Sequence, residues 1–178
     1  HDPRTPYTIL FGQGVAVNAI QATEVFSTVA NGGVRVEPSL FAGSQAPDGT
    51  FTPAPEPERT RVVSTETADS LMRMLESVTG EEGTAENARV PGYRVAGKTG
   101  TAQMWLPGGG TTYMASFIGV APADDPRYTV SVFLRSPQSS IFGGVVAAPV
   151  FSDLMGYTLQ KMDVPPSTTE PDPYDLEW

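Results

Sequence analysis

Lys98-Thr99-Gly100-Thr101 is the cluster of side chains in this sequence with the most obvious chemical use. An ammonium next to two hydroxyls can hold an anion, because lysine only donates hydrogen bonds and threonine donates one. The cluster lies in a stretch, residues 93–105, that reads as a strand, although a glycine-rich one. Alternation along a strand puts Thr99 and Thr101 on one face and Lys98 on the other. All three serve one site only along the strand's edge, where backbone N–H groups are also free. Such an edge suits acyl transfer on a peptide. An extended substrate adds as a further strand, the hydroxyls take its terminal carboxylate, and an N–H polarises the scissile carbonyl. The plain alternative is an exposed strand lysine without a role. Gly97 and Gly100 weigh against it, since glycine in a strand costs entropy and packing unless a ligand or another backbone must come close.

The same lysine completes a formal G-x-x-x-x-G-K-[ST] match over residues 92–99. A phosphate loop needs an apolar strand before it and a helix after it, with the helix N-terminus facing the phosphates. Residues 87–91 form no apolar strand, and Gly100 with Pro107 opposes a following helix. Nucleotide binding is therefore rejected, and no cofactor or metal is expected.

Composition narrows the chemistry further. The 178 residues fit about one domain, and 20 acidic against 11 basic side chains give a net charge of −9. That charge argues against nucleic acid or an anionic membrane surface as partner. There is no cysteine and a single histidine, His1, so thiol catalysis, disulfides, a Cys/His zinc site and a histidine triad are excluded. No apolar run is long enough to span a bilayer, and the first residues do not read as a signal peptide. Lys98 is one of only two lysines, with Lys161.

The elements that must position the cluster follow from periodicity. Residues 17–30 carry apolar side chains at 19, 22, 26, 29 and 30, a helical spacing closed by Asn31-Gly32-Gly33. Residues 37–60 are loop-like and proline-rich, with a short hairpin whose arms are 39–42 and 50–52 around Asp48-Gly49. Ser64 caps a second helix with Ala68, Leu71, Met72, Leu75 and Val78 on one face, ended by Gly80. Strands over 93–105, 113–120 and 128–134, joined by short turns, make an antiparallel meander. Pro149 opens a closing helix carrying Val150, Phe151, Leu154, Met155 and Leu159. The class is α+β, with residues 1–162 as the ordered part and 163–178 as a disordered, acidic, proline-rich tail. The helices at the N-terminal end call for more sheet and more helix than this chain supplies.

Taken together, Phe11-Gly12-Gln13-Gly14, the Ala30-Asn31-Gly32-Gly33 helix end, Val95-Ala96-Gly97-Lys98-Thr99-Gly100-Thr101-Ala102-Gln103 and Phe142-Gly143-Gly144 before Ala147-Ala148-Pro149 resemble the class B penicillin-binding proteins. Among these the chain is most similar to the monofunctional division (septal) transpeptidases. Lys98-Thr99-Gly100-Thr101 resembles the third motif of that family and of the serine β-lactamases, whose other motifs are S-x-x-K and S-x-N. Neither occurs here: no serine stands three residues before Lys98 or Lys161, and none is followed at two residues by asparagine. The resemblance thus implies the C-terminal part of a penicillin-binding, β-lactamase-like transpeptidase fold, lacking the nucleophilic serine and inactive alone.

It also implies roles. Lys98 would supply positive potential and assist proton transfer. Thr99 and Thr101 would bind the substrate's or a β-lactam's carboxylate, the Thr101 N–H would form half of an oxyanion hole, and Gly100 would keep the strand bare. The implied partners are peptidoglycan stem peptides, β-lactams, the missing N-terminal half of the same protein and the cell-division machinery. The implied location is the cell membrane, with the catalytic domain outside the cytoplasm. Secondary candidates are the Gly83-Thr84 loop, which has an equal reading as plain surface loop, and Trp105, Tyr113 and Phe142, for which buried packing is the default. Asp124-Asp125 and Glu81-Glu82 read as solvated turn charges. A D,D-carboxypeptidase or β-lactamase, or a non-catalytic penicillin-recognising module, remain open alternatives.

Overall fold

A computed structural model describes residues 15–172 and 174. The Phe11-Gly12-Gln13-Gly14 motif and the last four residues lie outside that range. Helix α1 (Ala19–Ala30) begins with a capping box. The Asn18 side chain accepts from the Gln21 N–H at 2.9 Å, and the Gln21 side chain accepts from the Asn18 N–H at 3.0 Å. Together they satisfy donors that the first helical turn leaves unpaired. At the other end Gly32 and Gly33 take φ of +59° and +83°, and the Gly33 N–H returns to the Thr28 carbonyl at 2.9 Å. This is the left-handed stop that the Asn-Gly-Gly sequence predicts.

Four short strands follow, in two nested antiparallel pairs: β1 (Val34–Val36) with β4 (Arg59–Arg61), and β2 (Gly43–Gln45) with β3 (Phe51–Pro53). The predicted hairpin exists, but its arms are displaced from 39–42 and 50–52. The cause is the turn. Asp48 accepts from the Thr50 N–H at 2.9 Å, and the Ala46 N–H reaches the Thr50 carbonyl at 2.8 Å, so pairing starts at once with Gln45 opposite Phe51. Segment 39–42 is left facing a run in which Pro53, Pro55 and Pro57 have no N–H to offer. The Arg59-Thr60-Arg61 strand was hidden by its charge.

Helix α2 (Thr65–Ser77) is capped by Ser64, whose hydroxyl accepts from the Thr67 N–H at 3.2 Å. A short 3-10 turn at Glu86–Ala88 leads to the meander β5 (Ala96–Trp105), β6 (Thr111–Ala121) and β7 (Tyr128–Arg135), paired in that order. A four-residue helix α3 (Gly143–Val146) runs into α4 (Ala148–Lys161), with Pro149 in its first turn as expected.

The meander separates two layers. On one face α1 is tied to β7 by hydroxyl pairs, Thr23 to Ser131 at 2.8 Å and Ser27 to Thr129 at 3.0 Å. On the other face α4 presses Phe151, Met155 and Leu159 against Phe117 and Val132, all of them buried. Phe117 meets Phe151 edge to face, with ring centroids 4.7 Å apart, a favoured aromatic geometry. Ile20 and Val25 on α1 and Met74 on α2 stay exposed, so this α layer carries apolar surface that the described residues do not cover.

The tail departs from expectation. Residues 163–172 are not a free acidic run but a strap over the start of β5. Val164 packs on the main core, and the Tyr93 hydroxyl donates to its carbonyl at 2.7 Å. The Ser167 N–H donates to the Gly92 carbonyl at 3.0 Å, while its hydroxyl accepts from the Arg94 N–H at 3.0 Å and donates to Asp124 at 2.6 Å. Arg94 also reaches Thr169 at 2.6 Å, and Arg73 holds the Asp172 carboxylate at 3.0 Å. Composition rightly shows that the tail buries little apolar surface. It gives no sight of a segment held by hydrogen bonds to groups already ordered.

Candidate active site

β5 is an edge strand of the meander among the described residues, so β6 uses only half of its backbone groups. Ala96 and Gly97 at its buried end are locked beneath the core, and from Lys98 onward the strand emerges. That burial gradient places the cluster at the surface on a rigid base. The strand continues through Trp105 without a helix, which disposes of the phosphate-loop match.

Alternation sets Lys98 and Thr99 on opposite faces, yet their functional groups meet. The Lys98 ammonium folds over the free edge and donates to the Thr99 carbonyl at 3.3 Å and to its hydroxyl at 3.2 Å. The Thr99 hydroxyl lies 3.3 Å from that of Thr84. The Gly83-Thr84 loop therefore lies beside the cluster. Thr101 is exposed further along the strand.

Gly97 has a packing reason to be bare, and Gly100 a weaker one. A side chain at Gly97 would lie 2.5 Å from the Phe117 ring, and one at Gly100 would overlap the Ser116 hydroxyl across the β5–β6 pair. Gly97 is hemmed in by a ring and a backbone carbonyl, whereas at Gly100 the neighbour is a single hydroxyl that can rotate aside.

Phe142-Gly143-Gly144 supplies a support that spacing does not reveal. A side chain at Gly143 would run into the Ser116 carbonyl and come within 2.8 Å of the Gly100 carbonyl. One at Gly144 would run into the Thr84 carbonyl and lie 3.4 Å from the Thr99 methyl. Asn87 completes the contact by donating to the Gly144 carbonyl at 3.0 Å. α3 thus rests backbone to backbone on β5, β6 and the Thr84 loop. Gly143→Ala should push it off, lowering stability by about 1–3 kcal/mol through overpacking. Chemical denaturation of the complete protein measures this, and an unchanged midpoint would mean the contact gives way freely.

The aromatic candidates correct the packing default. Trp105 is 81% exposed and Phe142 61%, while Tyr113 is half-buried, so the first two are available to whatever lies along the edge. Asp124 is not a free turn charge either, since it receives the Ser167 and Thr169 hydroxyls. Burial pushes its carboxyl up, but the bonds from Ser167, from its own backbone and from Thr169, with nearby Arg94, outweigh this and hold it below the ordinary range. Asp125 pairs with Arg127 at 2.8 Å in solvent, and Glu81 and Glu82 are exposed.

With the geometry established, comparison with known proteins is specific. Residues 6–156 match the model of the penicillin binding protein transpeptidase domain. Penicillin-binding protein PbpB of Mycolicibacterium smegmatis is 42% identical over 174 residues, covering 91% of this chain and 26% of the relative. Peptidoglycan D,D-transpeptidase FtsI of Escherichia coli is 35% identical, covering 89% of the chain and 26% of the relative. The chain therefore spans about a quarter of the length of these relatives. Among solved structures, penicillin-binding protein 3 of Mycobacterium tuberculosis complexed with ampicillin superposes with a TM-score of 0.84 at 39% identity, over 94% of this chain and 40% of that one. A peptidoglycan synthetase of Bifidobacterium adolescentis gives 0.88 at 32% identity, over 100% of this chain and 32% of that one. An edge strand bearing Lys98, Thr99 and Thr101, held by the α3 glycines within a fold shared at this level, places the chain in the penicillin-binding protein transpeptidase family.

Proposed function

We propose that this chain is the C-terminal part of the catalytic domain of a serine-type peptidoglycan D,D-transpeptidase that cross-links stem peptides during septal wall synthesis. The observation that carries the reading is the Lys98 ammonium folded over a free strand edge onto the Thr99 hydroxyl. That edge offers a positive charge, two hydroxyls and backbone N–H groups to an extended peptide ending in a carboxylate.

In the reaction, a serine from outside this chain attacks the carbonyl of the penultimate D-alanine. An ester forms to the serine, the terminal peptide bond breaks, and the last D-alanine leaves as an amine carrying the proton lost by the serine. A neighbouring peptide's amine then attacks the ester, a new amide forms, and the serine recovers its proton. Thr99 and Thr101 hold the substrate's terminal carboxylate during the first step. The Thr101 N–H faces the developing oxyanion, sharing it with the nucleophile's own N–H. Lys98 supplies the field that favours both anions and assists the proton's movement. β-Lactams, whose carboxylate and strained amide present the same two features, acylate the same serine.

The chain contains neither S-x-x-K nor S-x-N, so alone it does not catalyse. Its remaining partners are the N-terminal half that carries the serine and the division machinery that recruits the enzyme. No described helix is long and apolar enough to cross a membrane. The proposed location is the cell membrane, with the catalytic domain outside the cytoplasm. Fluorescent penicillin should label the complete protein covalently and leave the 178-residue chain unlabelled. A folded complete protein that stays unlabelled overturns the reading.

A further inference from the structure

Thr99 must point one proton outward to hold a carboxylate, yet nothing in Thr99 itself fixes where that proton goes. Its hydroxyl has one donor and two acceptor positions. Lys98, which as an ammonium can only donate, occupies one acceptor position at 3.2 Å. The Thr84 hydroxyl stands 3.3 Å away on the neighbouring loop. We infer that Thr84 is a positioning residue for ligand binding: it donates to the second acceptor position of Thr99, leaving the single Thr99 proton for the ligand carboxylate. With lysine and Thr84 both donating inward, the hydroxyl is saturated as acceptor and is forced to act as donor. The contact is longer than the ~2.8 Å usual between hydroxyls, so in the free protein the Thr84 proton can rotate, and the pair tightens when the carboxylate claims Thr99.

The loop is built to keep Thr84 there. The Ala85 N–H is fixed to the Val78 carbonyl at 3.0 Å, and Ala85 is buried. A side chain at Gly83 would collide with that same Val78 carbonyl, so the chain passes tightly over the end of α2. On its far side the Thr84 carbonyl abuts Gly144, and the Asn87 amide holds Gly144 in turn. Thr84 itself is exposed, with the Thr99 hydroxyl as its one polar side-chain contact among the described residues. Replacing it by the isosteric valine therefore removes the hydroxyl and little else.

This inference rests on the transpeptidase reading, and the test separates the two. In the complete protein, Thr84→Val should weaken the pre-covalent binding of a carboxylate-bearing penicillin about three- to tenfold, the scale of one neutral hydrogen bond. The limiting acylation rate at saturation should hardly change. The methyl ester of the same penicillin, which has no carboxylate to receive the Thr99 proton, should acylate both proteins equally. Thr84→Ser should restore binding of the acid. In a Thr99→Val background, Thr84→Val should add nothing, since the two act as one unit. Equal acylation of wild type and Thr84→Val by the acid overturns the inference and leaves the transpeptidase reading standing. So does an equal loss for acid and ester, which marks a merely structural effect. A folded wild type that no penicillin acylates overturns both.

Discussion

Replacing Lys98 by alanine in the complete protein should slow acylation by β-lactams about a hundredfold or more, the scale of losing one preorganised charge-stabilising donor. The fold should be unaffected. The Lys98 side chain emerges at the free edge, and among the described residues its ammonium hydrogen-bonds only to the carbonyl and hydroxyl of its own neighbour, Thr99. Surface substitutions of that kind move stability by less than about 0.5 kcal/mol. Two losses combine at the site: the positive potential over the carboxylate, and the donor that fixes one acceptor position of the Thr99 hydroxyl. Arginine should recover only part of the rate, because its planar fork does not occupy the compact position of an ammonium. Stopped-flow acylation beside a thermal melt measures both sides. Wild-type acylation by Lys98→Ala would remove the residue from the chemistry.

Arg94→Ala should be the most damaging single change to stability. The guanidinium makes two parallel bonds to the Glu76 carboxylate, at 2.8 and 2.6 Å, and the two side chains are only 15% and 6% exposed. The bond it donates to Glu76 holds the guanidinium's proton affinity above its ordinary level, against the opposing effect of burial. Removing Arg94 leaves a carboxylate buried without its partner, a defect that costs about 3–5 kcal/mol. It also cuts the contact to Thr169. A domain of this size should then melt about ten degrees lower or more, with faster proteolytic release of the strap. Converting Arg94 and Glu76 together to leucine should recover most of the loss, because no charge is then stranded. A calorimetric midpoint unchanged by Arg94→Ala would mean that water reaches Glu76.

What the sequence made legible was whatever local rules govern. Short turns and β-branched runs define the meander, Ser64 marks a cap, Asn31-Gly32-Gly33 marks a stop, and Pro149 opens α4. Lys98 and the two threonines stand out by residue type and strand alternation alone. The rest depends on contacts between segments far apart. Thr84 is 15 residues from Thr99, and no spacing rule joins a loop to the strand it folds over. The packing of Gly97 against the Phe117 ring was not legible, because a bare strand position looks alike whether a ligand or an aromatic ring lies over it. Asp124 and the strap were misread for a related reason: charge and proline count describe what a segment cannot bury, not what polar groups await it.

The strap bears on where this domain can be cut. Trimming at residue 162, where composition marks the end of the last helix, would remove Val164 from the core and Ser167 and Thr169 from Arg94 and Asp124. The Tyr93 hydroxyl and the Gly92 carbonyl would lose their partners as well. These groups sit just upstream of Lys98, so a shortened recombinant version would loosen the strand that carries Lys98, Thr99 and Thr101. An expression boundary, affinity tag or fusion joint placed beyond residue 172 keeps that strand clamped.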